Sequence, residues 1–312
     1  MKKLTKKTSL FPRPFLKWAG GKNQLLGEFK KRLPYSIVQY KRIYRYVEPF
    51  LGGGAIFFFL KRNFKVKESF LLDINPDLIL AYKVIQKYKK ELLGHLEEIE
   101  SEHLKKNEIE RKKHYYSIRT LYNQQMNNFD YKNPGEEWVE RTTYFIFLNK
   151  TCYNGLFRLN KKGEFNVPYG RYDNPKIYNK ENIIKINQSL RDTELFYGDF
   201  TESEYFIDEE TLVYLDPPYR PLSSTSNFTN YAKNGFTDSN QLILAKFFAK
   251  MDRKGAYLIL SNSDPQNLNP DDKFFDDLYK NYIIERIPAK RNINRDKLKR
   301  GHINELIIRN FK

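Results

Sequence analysis

A single cysteine, Cys152, stands in 312 residues. That excludes a disulfide framework and a multi-cysteine zinc site, and it fits a reducing cytosol. Long apolar runs are missing too: the longest uninterrupted one, Ala55 to Leu60, is far shorter than the ~20 residues a spanning helix needs. The Lys-rich start "MKKLTKKTSL" is not followed by the apolar segment of a secretory signal. A cytoplasmic protein with no membrane partner is expected. Histidine is scarce, and His95, His103, His114 and His302 show no metal-ligand spacing. No metal is expected, and all four are assigned to the surface. Acidic residues are in deficit, 38 against 55 Lys and Arg, for a net charge of +17. A polyanionic partner would explain that excess, and so would a solubilising surface.

What is present is an alternation of apolar strands with turn signals and helices. "YRYVE" reads as a strand that stops at Pro49 and passes through "FLGGGA" into a helix beginning near Ala55. "SFLLDI" reads as the next strand, ending at Asp73. Asn75, Pro76 and Asp77 behind it supply an N-cap, a first-turn proline and an acid suited to the helix dipole. The alternation then lapses into charged helical sequence from about Lys83 to Tyr131, a second helical stretch from Glu136 to Leu148, and a segment rich in Gly, Asn, Pro and Tyr with room for one hairpin. It resumes with "ELFYGD", "TLVYLD", a helix over Thr237 to Lys250, "AYLILSN", "YIIERI" and "NELIIRNF". The pattern predicts an α/β sheet interrupted by a module over roughly 77–178. No internal repeat is visible.

Three stretches carry chemistry. Gly52, Gly53 and Gly54 let backbone approach a ligand at a helix N-terminus, although a dinucleotide fingerprint would need glycine where Phe57 stands. Asp73, ending the following strand, suits ribose hydroxyls; a tight turn beside a helix-capping acid would look the same. "FLKWAGGK" crowds Trp18 and Lys22 around a second glycine pair, more than a structural turn requires. In "VYLDPPY", two prolines forbid the strand from continuing past Asp216, so its carboxylate falls at a carboxyl-terminal strand edge. Asp216, the Pro217 carbonyl and the Tyr219 ring suit a flat heterocycle bearing an amino group, as a flipped-out base does.

Taken in order, "FLKWAGGK", "EPFLGGGA", "DIN" and "DPPY" resemble the Dam-type, alpha-group DNA adenine-N6 methyltransferases over nearly the whole chain. "YNGLFR" and "GEFNVPYGRY" are similar to that family's target-reading loop. The resemblance implies a Rossmann-like α/β sheet dependent on S-adenosylmethionine, formed by 1–76 and 179–312, with an inserted, mainly helical target-recognition domain over 77–178. It implies that Trp18, Lys22, Phe50, Gly52, Gly54, Asp73 and Asp199 hold the cofactor, released as S-adenosylhomocysteine. Asp216 faces both cofactor and target, with Pro217 and Tyr219 completing the catalytic set. Lys17, Tyr153, Asn154, Leu156, Arg158, Pro168 and Tyr172 are implied to meet double-stranded DNA. Phe157 receives no role, and Cys152 is read as incidental.

The implied reaction methylates adenine N6, with GATC as the expected site, in a prokaryote or phage where the protein is nucleoid-associated. A cognate restriction endonuclease acting separately is a partner the resemblance admits. Two other readings remain: a methyltransferase of another amino group (cytosine N4 or RNA), and an inactive DNA-binding regulator. Arg286, Lys290, Arg291, Arg295, Lys297, Lys299 and Arg300 precede the last strand. They suit a phosphate clamp or an ordinary solvated basic loop.

Overall fold

The computed structural model describes residues 11–18, 22, 25–220, 236–290 and 302–312. Among these, the strands are β1 (Arg42–Glu48), β2 (Lys65–Asp73), β3 (Thr193–Tyr197), β4 (Thr211–Leu215), β5 (Tyr257–Ser263), β6 (Ile283–Lys290) and β7 (His302–Arg309). They form one sheet in the order β3-β2-β1-β4-β5-β7-β6. The first five run parallel, and β7 is antiparallel to both of its neighbours. Every residue of β4 is buried, which is why "TLVYL" reads as a continuous apolar run and not as an alternation. Strand order reverses between β1 and β4, and open α/β sheets bind ligands outside the carboxyl ends of strands at such a point.

The helices are α1 (Leu26–Lys31), α2 (Tyr35–Tyr40), α3 (Ala55–Asn63), α4 (Pro76–Lys87), α5 (Lys89–Lys105), α6 (Glu108–Gln124), α7 (Glu136–Thr151), α8 (Lys180–Ser189), α9 (Asp238–Arg253) and α10 (Phe274–Leu278). Local signals set their starts. The Asn75 side chain accepts from Leu78 N at 3.1 Å to cap α4, and Pro76 opens it. A reciprocal pair, Thr237 with Asn240, begins α9.

Between β2 and β3 the chain leaves the sheet for α4 to α7. Helix α4 serves both layers, packing on β2 and β3 as well as on α5 and α7. Asp77 in its first turn faces inward, where Arg141 of α7 donates from Nε at 2.5 Å and from Nη2 at 3.0 Å. Tyr122 and Tyr131 also donate to this carboxylate. A buried carboxylate needs such a set of donors, and the set ties the helical layer to the sheet.

Two expectations require correction. His103 and His114 are buried, their Nδ1 atoms 3.2 Å apart beneath Phe147 and Tyr169. His103 continues the apolar stripe Leu92, Leu96, Ile99 at helical spacing, so the core claims it despite its polarity. His95 is exposed as expected, and the side chain of His302 lies outside the described residues. Arg286, expected on a basic loop, lies within β6 and is neutralised by Asp264 and Asp276 at 3.1 and 2.7 Å. Lys290 ends the same strand, and Arg291, Arg295, Lys297, Lys299 and Arg300 lie outside the described residues. Cys152 is buried, and that burial pushes its thiol up to about 12, so it stays protonated. Among the described residues no helix is long and apolar enough to cross a membrane.

Candidate active site

A cavity of about 560 Å³ opens at the carboxyl edge of the sheet, across the ends of β1, β2 and β4. Each of these strands delivers a carboxylate to it: Glu48 ends β1, Asp73 ends β2, and Asp216 follows β4. Trp18, Lys22, Phe50, Gly52, Gly54, Asp73, Asp199, Asp216, Pro217 and Tyr219 all line the cavity, as does Lys17. Residues as distant in sequence as Lys17 and Tyr219 are thus brought to one site.

The glycine turn leads from β1 into α3. Gly52 and Gly54 take φ of +48° and +68°, conformations a side chain rarely adopts. A Cβ on Gly52 would lie 3.1 Å from the Trp18 indole, and one on Gly54 would meet the Tyr82 hydroxyl at 2.7 Å. Asp73 holds this turn in place: one carboxylate oxygen accepts from Gly52 N and the other from Asn75 N, each at 2.9 Å. Burial raises its pKa to about 6 against those bonds. Asn75 caps α4, which leaves Asp73 to bridge two loops. Asp199 caps the turn after β3, accepting from Thr201 N at 3.0 Å, and presents its edge to the cavity.

Beyond β4, Lys22 and Asp216 form an ion pair at 2.9 Å, with Lys22 only 6% exposed. The same ammonium donates to the Tyr219 hydroxyl at 2.6 Å. Burial raises the Asp216 carboxyl, Lys22 lowers it and Glu305 raises it. Ser261 Oγ approaches Asp216 at 3.4 Å and is bonded to the Tyr214 hydroxyl at 2.6 Å. Among the described residues no donor reaches the Pro217 carbonyl, whereas that of Pro218 accepts from Gln241 Nε2 at 3.5 Å. The site can therefore offer two acceptors beside an aromatic face.

The opposite wall is aromatic. Phe50 stacks on Phe200 at 5.3 Å and meets Phe236 edge-on at 5.9 Å. Of these only Phe50 is expected from the motifs. Glu48 received no role from the motifs, although its place at the end of β1 before Pro49, like that of Asp216 before Pro217, could have marked it. Burial pushes its carboxyl well up while the Tyr46 hydroxyl donates to it at 2.8 Å.

The proposed DNA-facing residues other than Lys17 stand outside the cavity. Tyr153, Asn154, Leu156, Arg158 and Pro168 are exposed and Tyr172 half-buried, on a loop braced by Tyr153 N to Pro168 O at 2.8 Å and Asn166 N to Arg158 O at 3.1 Å. Leu159 and Phe165 bridge as in a hairpin. Asn154 sits at φ +56°. Lys17 joins this loop to the cavity: its backbone exchanges two bonds with Asn149 at 2.8 Å, and its ammonium lies 4.6 Å from the Tyr172 ring centroid. Arg158 Nε donates to Asn166 Oδ1 at 2.8 Å, which fixes the plane of its guanidinium. Among the described residues no cluster of three or more His, Cys, Asp or Glu side chains is placed to hold a metal ion.

The sequence has known relatives. The chain is 46% identical over 301 residues to the "Type II methyltransferase M.MjaIII" of Methanocaldococcus jannaschii, covering 96% of this chain and 99% of that protein. It is 34% identical over 310 residues to the "Type II methyltransferase M1.LlaDCHI" of Lactococcus lactis subsp. cremoris, covering 99% of each. It is 33% identical over 296 residues to a "DNA adenine methylase" of Vibrio cholerae, covering 95% of each. Residues 18–293, a span that takes in the glycine turn, the helical insertion and the DPPY turn, match the model of one family. The chain belongs to the D12 class N6 adenine-specific DNA methyltransferases.

Proposed function

We propose that the protein moves a methyl group from S-adenosylmethionine to N6 of an adenine flipped out of double-stranded DNA, within GATC. The observation that carries this reading is the convergence of Asp216, Lys22 and Tyr219 at one end of a cavity whose other end is the Gly52–Asp73 turn. The residues present fit the cofactor. The Gly52 turn leaves a cradle that a Cβ would fill, Asp73 offers a carboxylate for ribose hydroxyls, Asp199 lies at the rim, and Phe50 gives an apolar face for a base. Trp18, Lys22 and Gly54 complete the cofactor set. Bound there, S-adenosylmethionine supplies an electrophilic sulfonium methyl.

The protein's own contribution is grip and alignment. Asp216 and the Pro217 carbonyl accept the two amine hydrogens, and Tyr219 stacks on the extruded ring. Because N6 donates its lone pair into that ring, these bonds favour the pyramidal, electron-rich amine. Fixing the amine in line with its reaction partner contributes on the order of 7 to 11 kcal/mol in favourable cases. Lys22 occupies one oxygen of Asp216, Oδ1, which leaves Oδ2 to accept from the amine.

Residues 77–178 are proposed as the target-recognition domain. Its loop is seated on α6 by Tyr115, which donates to Val167 O, and by Asn123, which bonds Phe165 from both ends of its amide. Lys17, Tyr153, Asn154, Leu156, Arg158, Pro168 and Tyr172 would meet the duplex. The names of the Type II relatives support a restriction–modification setting with a separately acting endonuclease. The test is to express the protein in a host lacking adenine methylation and map N6-methyladenine by long-read sequencing. Modification at GATC is expected, and modification of another site or of none contradicts the proposal.

A further inference from the structure

Glu305 stands in the middle of β7, opposite Ser263 of β5 and Ile287 of β6. Pairing on both sides fixes its backbone. Its half-buried carboxylate accepts the Tyr219 hydroxyl at 2.8 Å. A phenol has one hydrogen to give. With that hydrogen committed to Glu305, the oxygen turns its lone pairs to Lys22, which donates to it at 2.6 Å and reaches Asp216 at 2.9 Å. The Lys22 ammonium also lies 4.1 Å from the Tyr219 ring centroid. Burial, then the carboxylates of Asp216 and Glu305, hold the Tyr219 phenol well above its usual range, so the ring remains a neutral donor.

We infer that Glu305 is a positioning residue for methyl transfer: it orients Tyr219 through the phenol hydroxyl and keeps that oxygen as the second anchor of Lys22. The inference rests on the proposed roles of Asp216 and Tyr219. Its physical content is a division of labour between two carboxylates. Asp216 has to share its carboxylate between Lys22, on Oδ1, and the incoming amine, and an ammonium displaced by that sharing needs a second acceptor in a buried site. Tyr219, polarised by Glu305, retains that ammonium within the cavity while the ring is held at the angle for stacking. Neither the strand pairing of β7 nor its packing requires a carboxylate at this position.

The test is a double-mutant cycle between Glu305→Ala and Tyr219→Phe, read by methyl transfer from S-adenosylmethionine to an adenine-bearing duplex. Glu305→Ala is expected to lower kcat by about tenfold to a hundredfold, the scale of one lost bond to a charged group, with KM for DNA little changed. In the Tyr219→Phe background the same substitution should cost less than about twofold, because the hydroxyl through which it acts is gone. If Glu305→Ala does not fold, Glu305→Gln takes its place in the cycle: its amide keeps an acceptor, so the loss is smaller, but it vanishes equally in the Tyr219→Phe background. A 2-aminopurine at the target position reads the ring itself, and its emission should rise when Glu305 no longer orients Tyr219. Additive losses, an unchanged kcat, or a kcat that falls only in step with melting temperature would each overturn the role of Glu305 while wild-type transfer stands. Absence of transfer by the wild-type protein would instead overturn the function on which it rests.

Discussion

Trp18 stacks on Phe157 with ring centroids 5.5 Å apart and planes inclined by 27°. One ring lines the cavity and the other lies beneath the loop that carries Tyr153 and Arg158, where Phe145 and Phe165 also contact it. Phe157 is 5% exposed, and replacing it with alanine should cost about 3 to 5 kcal/mol of stability. Because the lost ring supports Trp18, cofactor affinity should fall as well, although Phe157 does not line the cavity. Chemical denaturation and calorimetry on Phe157→Ala and the milder Phe157→Leu check both effects. Affinity unchanged in both variants would confine Phe157 to the core.

Asp73 serves the turn and the proposed ribose site together. Asp73→Ala should weaken S-adenosylmethionine by roughly 1.5 to 3 kcal/mol, and should lower melting temperature because Gly52 N and Asn75 N both lose their acceptor. The carboxyl titrates near 6 in the free protein, and the ionised form is the better acceptor for hydroxyls. Affinity should therefore decline as pH falls through about 6. Calorimetry above and below that value checks the decline, which should be absent in Asp73→Ala.

Burial, followed by the charge of His114, depresses the pKa of His103 to about 4. A histidine whose folded pKa lies below its unfolded value near 6.5 binds its proton more tightly in the unfolded chain. Its contribution to stability is complete above about pH 6.5 and is withdrawn as pH falls toward 4, by at most about 3 kcal/mol. His103→Leu should flatten that part of the stability profile. Urea denaturation between these pH values gives the slope directly, and an equal slope in both proteins would contradict the assignment.

Arg158 tests the choice of site. A guanidinium held in plane by Asn166 can donate twice to guanine O6 and N7, a contact worth about 1 to 3 kcal/mol of discrimination. Arg158→Ala should relax the preference for the guanine following the AT step while cofactor binding is preserved. Lysine should rescue only in part, for want of the planar fork. Methylation rates on duplexes varied at that base pair are the measurement. A loss of affinity that is uniform across sequences and fades at high salt would mark Arg158 as a phosphate contact instead.

What was legible in the sequence was local. Two prolines dictate that β4 stops before Asp216, glycines at positive φ dictate the turn at Gly52, and Asn75-Pro76 dictates where α4 begins. What was not legible depended on distant register. The bond between Tyr219 and Glu305 joins residues 86 apart and exists only because β7 inserts antiparallel between β5 and β6. The Asp77–Arg141 pair, 64 residues apart, is likewise set by how α7 crosses α4. His103 is an intermediate case: polarity pointed outward, while its spacing from Leu92, Leu96 and Ile99 pointed inward, and the spacing prevailed.

The most direct test of the account is incorporation of tritiated methyl from S-adenosylmethionine into paired duplexes. They are identical except that the GATC adenines of one are already N6-methylated. The account predicts label in the unmodified duplex alone, and almost none from Asp216→Ala, whose fold and much of whose DNA affinity should survive. Asp216→Asn should also be severely impaired, since its amide presents one acceptor oxygen and no charge. Equal label in both duplexes, or near wild-type transfer by Asp216→Ala, would contradict it.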